Sequence, residues 1–162
     1  MSSAGPRPSL PPILVSERRI DVIGAMMTLV FVYGTLMQEQ PNHRVLVQVG
    51  ARRLGAALTA SARTLVDLGP YPALLRREGG CPVAGELYEV DEDALAVLDA
   101  FEGCPDLYAR ERIRLAREGE ESEAWTYVLA REVPAHAVVV TSGRYAGGGV
   151  VLEVDAREVE PG

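Results

Sequence analysis

Short apolar runs separated by turn residues dominate the pattern of this chain. Residues 28–33 (TLVFVY) predict a buried strand that runs into Gly34, because β-branched and aromatic residues favour strands. Residues 52–66 predict one or two further strands, with a bulge at Gly55. Residues 83–90 (VAGELYEV) predict another strand. This density of short strands indicates a small, mostly antiparallel sheet or barrel.

The strand pattern continues in the second half of the chain. Residues 110–117 (RERIRLAR) alternate charged and apolar side chains, which predicts a half-exposed strand. Residues 123–129 (EAWTYVL) predict the returning strand of a hairpin, with its turn at 119–122. Residues 138–141 and 150–154 are further strand candidates.

Two helices interrupt the strands. Pro41 opens a short helix that ends at Gly50. Asp91 caps a second helix over residues 92–101, since its side chain suits the unpaired amides of a first turn. Between these helices, residues 68–75 contain Gly-Pro-Tyr-Pro, which predicts a rigid turn. Because the helices do not alternate regularly with the strands, a doubly wound fold is disfavoured.

The beginning of the chain differs from the rest. Residues 1–27 are rich in proline, and we expect them to form a flexible leader, with Met26 or Met27 as the native start. A secretory signal has its charged end first, followed by a longer apolar stretch and a cleavage site, and residues 1–27 do not follow this order. The predicted organisation is therefore this leader, one folded domain over residues 28–155, and a tail over residues 156–162.

Composition narrows the function classes. The chain has 162 residues, which fits one domain, and its 23 acidic residues exceed 16 basic ones for a net charge of -7. This balance disfavours a nucleic-acid partner, and no apolar run approaches the ~18 residues of a membrane span. All basic residues are Arg, so Schiff-base and P-loop chemistry are excluded. Two cysteines and two histidines form no metal motif, and we expect a cytoplasmic protein with free thiols.

Glu102 breaks the local rules of the second predicted helix. It follows Leu98 by four residues and Leu95 by seven, so its carboxylate falls on the buried stripe if the last turn is helical. Burial and the negative helix end both raise a carboxyl pKa, which suits a general acid–base. From position alone, a frayed end that exposes Glu102, or an ion pair with Arg110, is the more common outcome.

A second candidate is the loop at residues 33–36 (YGTL). A loop that ends a strand presents unpaired backbone N–H groups, which can hold a carboxylate or another anion. Gly34 would allow a ligand to approach closely, and Thr35 adds a hydroxyl. Taken alone, such a loop is more often an ordinary turn.

Tyrosines form the third feature. Four of them fall at predicted strand ends or turns, where a hydroxyl can hold a small polar substrate while the ring is buried. For any single tyrosine, packing is the more common role. These residues are Tyr33, Tyr71, Tyr108 and Tyr127.

Together these segments resemble the gamma-glutamylcyclotransferase superfamily, specifically its small AIG2-like branch. Four segments carry the resemblance, in the order that the family shows. They are residues 31–36 (FVYGTL), 69–74 (GPYPAL), 83–91 (VAGELYEVD) and 98–110 (LDAFEGCPDLYAR). The resemblance covers roughly residues 29–130, and four motifs in register make it specific.

The resemblance implies an α+β fold, with a small, mostly antiparallel β-barrel-like core, two flanking helices and one open mouth. It implies that Glu102 is the catalytic acid–base, without a metal or cofactor. It also implies that one loop binds the gamma-glutamyl group, mainly through its backbone, and that two tyrosines line the pocket. The loop residues are Tyr33, Gly34, Thr35 and Leu36, and the tyrosines are Tyr108 and Tyr127.

The implied reaction acts on a small gamma-glutamyl amine or peptide. The substrate cyclises to 5-oxoproline and releases the amine. Two alternatives remain open from the sequence. One is a non-catalytic module that binds a small metabolite or a peptide end. The other is the same chemistry used to remove a gamma-glutamyl protecting group in a biosynthetic pathway.

Overall fold

The protein folds as a strand-rich domain with two helices. A computed structural model describes residues 18–20 and 26–146, and all statements below concern these residues. Its elements are β1 (Arg18–Ile20), β2 (Met26–Val32), α1 (His43–Gln48), β3 (Arg52–Thr59), β4 (Arg63–Asp67), β5 (Pro72–Glu78), β6 (Ala84–Asp91), α2 (Glu92–Phe101), β7 (Tyr108–Arg117), β8 (Glu120–Leu129) and β9 (Val138–Val139).

One sheet contains all of the described strands, in the order β1-β2-β6-β3-β7-β8-β5-β4-β9. Strand β2 also pairs with β8, where Val30 lies opposite Trp125 in parallel. This pairing closes β2, β6, β3, β7 and β8 into a five-stranded barrel. Most neighbours are antiparallel, and the expected α+β fold with a barrel-like core and two helices is confirmed.

Strand β2 is apolar along most of its length because the fold covers both of its faces. Successive side chains of a strand point to opposite faces. Accordingly, Val30 and Val32 pack in one core cluster, together with buried residues of both helices. Leu29 and Phe31 pack in a second cluster with side chains of the other strands. A strand buried on both faces carries a continuous apolar run rather than an alternating one.

Helix α2 has the bounds and the cap that the sequence predicts. Asp91 has extended backbone angles, and its Oδ1 accepts from the Ala94 amide at 2.7 Å. Leu98 is fully buried, which stabilises the helix by about 2 kcal/mol. The first helix is also confirmed and buries Val45 and Leu46, but it begins at His43, after the N-cap Asn42, and not at Pro41.

A glycine motif ends α2 immediately after Glu102. Gly103 has a φ of 72° and its amide donates to the Ala100 carbonyl at 3.1 Å. The Cys104 amide donates to the Asp99 carbonyl at 3.0 Å. These two bonds form the Schellman arrangement, which satisfies the last carbonyls of a helix. The turn therefore fixes the backbone on both sides of Glu102.

The hairpin of β7 and β8 is confirmed with a shorter turn than predicted. The strands stay paired as far as Arg117 and Glu120, so the turn is Glu118 and Gly119 instead of residues 119–122. Both turn residues have positive φ, 54° and 83°, as a two-residue hairpin turn requires.

The bulge in β3 is confirmed, and one strand is missed. The pairing of β3 with β6 shifts register between Arg53 and Gly55. Strand β5 was not predicted, because the proline-rich turn was expected to run through Leu75. The turn instead ends before Pro72, which begins the strand, and a first position needs no donated hydrogen bond.

The ends of the chain add two observations. Strand β1 and the start of β2 fall inside the segment expected to be a leader, and Arg18 pairs with Thr28. The predicted strand at residues 150–154 lies outside the described residues, whereas β9 corresponds to the candidate at 138–141. None of the described helices is long and apolar enough to cross a membrane.

Candidate active site

A pocket of about 200 Å³ opens where β2 ends, and it gathers all the predicted site residues. Glu102 and all four residues of the loop at 33–36 line this same pocket. The pocket is lined by Phe31, Val32, Tyr33, Gly34, Thr35, Leu36, Asn42, Tyr71, Pro72, Phe101, Glu102, Leu107, Tyr108 and Tyr127.

The loop at residues 33–36 is held through its carbonyls and keeps its amides available. The Asn42 amide donates to the Thr35 carbonyl at 2.9 Å, and Nδ1 of His43 donates to the Leu36 carbonyl at 2.9 Å. Within residues 26–146, the amides of Gly34, Thr35 and Leu36 donate to no protein acceptor. Several such amides in one loop suit an anion or a polarised oxygen.

Gly34 is required by close packing. A Cβ at this position would lie 2.6 Å from Cγ and 3.0 Å from Cδ of Pro72, which is closer than carbon atoms can pack. Pro72 opens β5, so the loop rests directly on the neighbouring strand. Asn42 also donates from Nδ2 to the Thr35 hydroxyl at 3.1 Å, which fixes that side chain. The loop is thus held in one shape by its neighbours.

Glu102 is a partly buried acid without a neutralising partner among the described residues. It lies at the C-terminal cap of α2, and burial raises its pKa from 4.5 to about 7. Arg110, the candidate partner, instead places Nε 2.9 Å from Oδ1 of Asp99. In the described part of the chain Glu102 forms no salt bridge, so its carboxyl exchanges a proton near neutral pH.

The predicted tyrosines line the pocket with their rings, while their hydroxyls bond to the protein. The Tyr33 hydroxyl donates to the Tyr127 carbonyl at 2.5 Å, and the Tyr127 hydroxyl donates to Oδ1 of Asp99 at 2.8 Å. The Tyr108 hydroxyl donates to the Pro72 carbonyl at 2.7 Å. Burial raises the pKa of all three tyrosines, so they stay protonated. Their hydroxyl protons are therefore not available to a substrate.

Several pocket residues were missed in the sequence. Phe101, the last residue of α2, is 42% exposed and lies in the pocket wall. Asn42 and Leu107 carried no local signal. Tyr71 was already a candidate from the sequence, whereas Pro72 begins β5 and its position beside Gly34 depends on the tertiary fold.

The pocket lining has a distinctive charge pattern. Glu102 is its one acidic residue, and no Arg, Lys or His belongs to the lining among the described residues. The described residues also contain no cluster of three or more His, Cys, Asp or Glu that could hold a metal ion. The chemistry that this lining offers is one exchangeable proton beside a set of backbone donors.

The family model described as "Gamma-glutamyl cyclotransferase, AIG2-like" matches residues 30–147. The chain belongs to this family.

Relatives of known name agree with this membership. The chain is 43% identical over 118 residues to the gamma-glutamylaminecyclotransferase of Bos taurus, covering 65% of this chain and 67% of that protein. It is 47% identical over 100 residues to that of Homo sapiens, covering 55% and 62%. A putative gamma-glutamylcyclotransferase of Vibrio cholerae is 40% identical over 114 residues, covering 70% and 92%. The aligned parts thus span about two thirds of the mammalian proteins.

A solved structure supports the same membership. The crystal structure of an AIG2-like protein from Mus musculus has a TM-score of 0.62 and 37% identity, and it covers 67% of this chain and 80% of that chain. A uropathogenic E. coli-specific protein, at 22% identity and a TM-score of 0.62, shares the fold.

Proposed function

We propose that this protein is a gamma-glutamylamine cyclotransferase, which converts a gamma-glutamyl amine into 5-oxoproline and the released amine. One observation carries the proposal. A partly buried carboxyl with a pKa of about 7 lines the same pocket as a loop whose amides have no protein acceptor among the described residues. The names of the mammalian relatives support the substrate class.

The nucleophile in this reaction belongs to the substrate. The alpha-amine nitrogen of the glutamyl group attacks its own gamma-carbonyl carbon, which closes a five-membered ring. The bond between that carbon and the departing nitrogen then breaks. Because the reacting groups are tethered, the pocket needs to hold only the folded conformation, and it needs no nucleophilic side chain. This is an intramolecular acyl transfer that requires no cofactor.

Glu102 would move the proton that this step needs. The alpha-amine begins as an ammonium group and must lose a proton before it attacks. The departing nitrogen must gain a proton before it leaves. A carboxyl with a pKa of about 7 can accept the first proton and donate it to the second nitrogen, because both of its protonation states are populated near neutral pH.

The loop at residues 33–36 would hold the negative charge. The amides of Gly34, Thr35 and Leu36 can donate to the alpha-carboxylate of the glutamyl group or to the oxyanion that develops on the gamma-carbonyl. The rings of Tyr108 and Tyr127 would form the pocket wall against the substrate methylene groups.

The charge pattern of the pocket favours amines over peptides as the departing group. A gamma-glutamyl dipeptide carries a carboxylate one carbon away from the departing nitrogen. Such a carboxylate would meet Glu102 and the apolar side chains of Phe101 and Leu107, without a cation among the described lining residues. An amine that lacks this carboxylate avoids the cost of burying an unpaired charge.

The test is a measurement of 5-oxoproline release, by mass spectrometry, from a panel of substrates. The panel contains gamma-glutamyl alkylamines, gamma-glutamyl-epsilon-lysine, gamma-glutamyl dipeptides and glutathione. We expect kcat/KM for the amines to exceed that for the dipeptides by at least about tenfold, which corresponds to ~1.4 kcal/mol. Absence of 5-oxoproline from every substrate would overturn the proposal. The binding-module alternative would then be tested by calorimetry with the same panel.

We also propose that the enzyme is cytoplasmic. Cys81 and Cys104 are both free thiols, which is usual for a reducing compartment. Removal of a gamma-glutamyl protecting group in a biosynthetic pathway uses the same chemistry, but the named relatives do not favour it.

A further inference from the structure

Asp99 lies one helical turn before Glu102, so both side chains leave the same side of α2. Its side chain is 29% exposed and lines a neighbouring cavity instead of the substrate pocket. Asp99 is therefore not part of the pocket lining beside Glu102. Its side chain nevertheless holds the last turn of the helix, three residues before the catalytic candidate.

Asp99 holds this turn at two points. Its carbonyl accepts from the Cys104 amide at 3.0 Å, which closes the backbone turn around Glu102. Its Oδ1 accepts from the Tyr127 hydroxyl at 2.8 Å, which ties the turn to β8. Arg110 Nε, from β7, lies 2.9 Å from the same oxygen. The backbone bond survives any substitution, whereas the side-chain contacts depend on the carboxylate.

The hydrogen bonds continue from Tyr127 to the opposite side of the pocket. The Tyr127 carbonyl accepts from the Tyr33 hydroxyl at 2.5 Å, and that hydroxyl accepts from the Leu74 amide at 3.0 Å. Tyr33 is the first residue of the loop with the unpartnered amides. One residue, Tyr127, thus joins the helix turn that carries Glu102 to the loop, with one bond from its side chain and one from its backbone.

We infer that Asp99 is a positioning residue, whose carboxylate accepts from the Tyr127 hydroxyl and thereby sets Glu102 relative to the loop at residues 33–36. The inference rests on the proposed cyclotransferase activity. The backbone bonds close the turn around Glu102, but the side-chain bond from Tyr127 to Asp99 ties the turn to β8. Without the Asp99 contact, Glu102 would sample positions from which its carboxyl does not reach the reacting nitrogen, while the loop and the pocket would remain.

The test compares substitutions that separate the hydrogen bond from the charge. Asp99→Asn keeps an oxygen that can accept from Tyr127 but removes the negative charge, whereas Asp99→Ala removes both. For Asp99→Ala we expect kcat to fall about 10- to 100-fold with KM within about twofold, because misplaced groups lose rate more than binding. Asp99→Asn should stay within about fivefold of wild type, as expected for a retained hydrogen bond.

A double-mutant cycle identifies the partner. Tyr127→Phe removes the hydroxyl from the other end of the same bond. The double variant Asp99→Ala/Tyr127→Phe should then be no slower than the slower single variant, because both changes break one interaction. If the two losses multiply, the inference is wrong. Equal kcat values for wild type and Asp99→Ala would also overturn it.

A matched control comes from the same helix. Asp93 is exposed in the first turn of α2, far along the helix from the pocket, and Asp93→Ala should leave kcat and KM unchanged. Thermal unfolding and near-UV circular dichroism check that each variant is folded. If Asp99→Ala does not fold, the other two variants still test the inference. It requires that kcat falls in Tyr127→Phe and stays close to the wild-type value in Asp99→Asn. An inactive wild type would contradict the proposed function instead.

Discussion

The two sides of the pocket use different parts of the chain. The side formed by residues 33–36 offers backbone amides, and its shape comes from packing of Gly34 on Pro72. The side at the end of α2 offers one ionisable side chain, Glu102, held on a helix turn. Activity should therefore be sensitive to side-chain volume on the loop side, and to the protonation of Glu102 on the helix side.

The largest effect should follow from Glu102→Gln. Glutamine has nearly the same shape but cannot carry the proton, so we expect kcat/KM to fall about 10²- to 10⁴-fold, the range for loss of general acid–base catalysis. The measurement is 5-oxoproline release under saturating and limiting substrate. Glu132→Gln, an exposed change of the same kind, is the control and should be silent. Full activity in Glu102→Gln would remove Glu102 from the mechanism.

The protonation of Glu102 should also appear in the stability of the fold. Burial raises its pKa from 4.5 to about 7, so the folded chain binds the proton more tightly than the unfolded chain. This stabilisation is present below pH 4.5 and is lost as the pH rises to about 7. The limit of the loss is about 3 kcal/mol.

Urea unfolding of wild type and Glu102→Gln measures this loss. The difference between their unfolding free energies should change between pH 4.5 and pH 8, with wild type losing stability relative to the variant. Other carboxyls titrate equally in both proteins and cancel. A difference that is constant across this range would show that Glu102 is solvated.

The smallest effect should come from the loop side, with Gly34→Ala. The new Cβ would lie 2.6 Å from Pro72 Cγ, so the loop must move and its amides with it. We expect kcat/KM to fall about tenfold, since small displacements in a site reduce rate strongly. In Gly34→Ala/Pro72→Ala the nearest remaining atom, Cβ of residue 72, lies 4.0 Å away.

Adding Gly34→Ala to Pro72→Ala should therefore lower kcat/KM less than adding it to the wild-type protein does. This recovery distinguishes a steric clash from a general loss of loop flexibility. A double variant whose loss is the product of the two single losses would show that Pro72 is not the obstacle.

Local signals account for the parts that the sequence predicted well. Asp91 caps α2 and Leu98 fixes its buried face, so the spacing alone brings Glu102 to the buried stripe. The strand of residues 28–33 is similarly local. The positions of Gly34 and Glu102 in one pocket, however, came from the family resemblance and were then found in the structure.

The missed features depend on residues far apart in the chain. Asp99 looked like an ordinary helix residue, because Tyr127 lies 28 positions away. The sequence left open whether a tyrosine hydroxyl holds a substrate or the ring only packs, and in the structure the Tyr108 hydroxyl bonds to a carbonyl 36 positions away. Strand β5 was hidden by the proline that begins it, and only its pairing with β4 and β8 makes it a strand.

The bond from Tyr33 to Tyr127 spans 94 positions, and this distance has a kinetic consequence. Contacts between remote segments form late in folding, because the intervening chain must first be closed into a loop. The pocket cannot exist before β8 docks between β7 and β2. During refolding, recovery of turnover should therefore lag behind recovery of far-ultraviolet circular dichroism, which makes enzymatic activity a reporter of barrel closure.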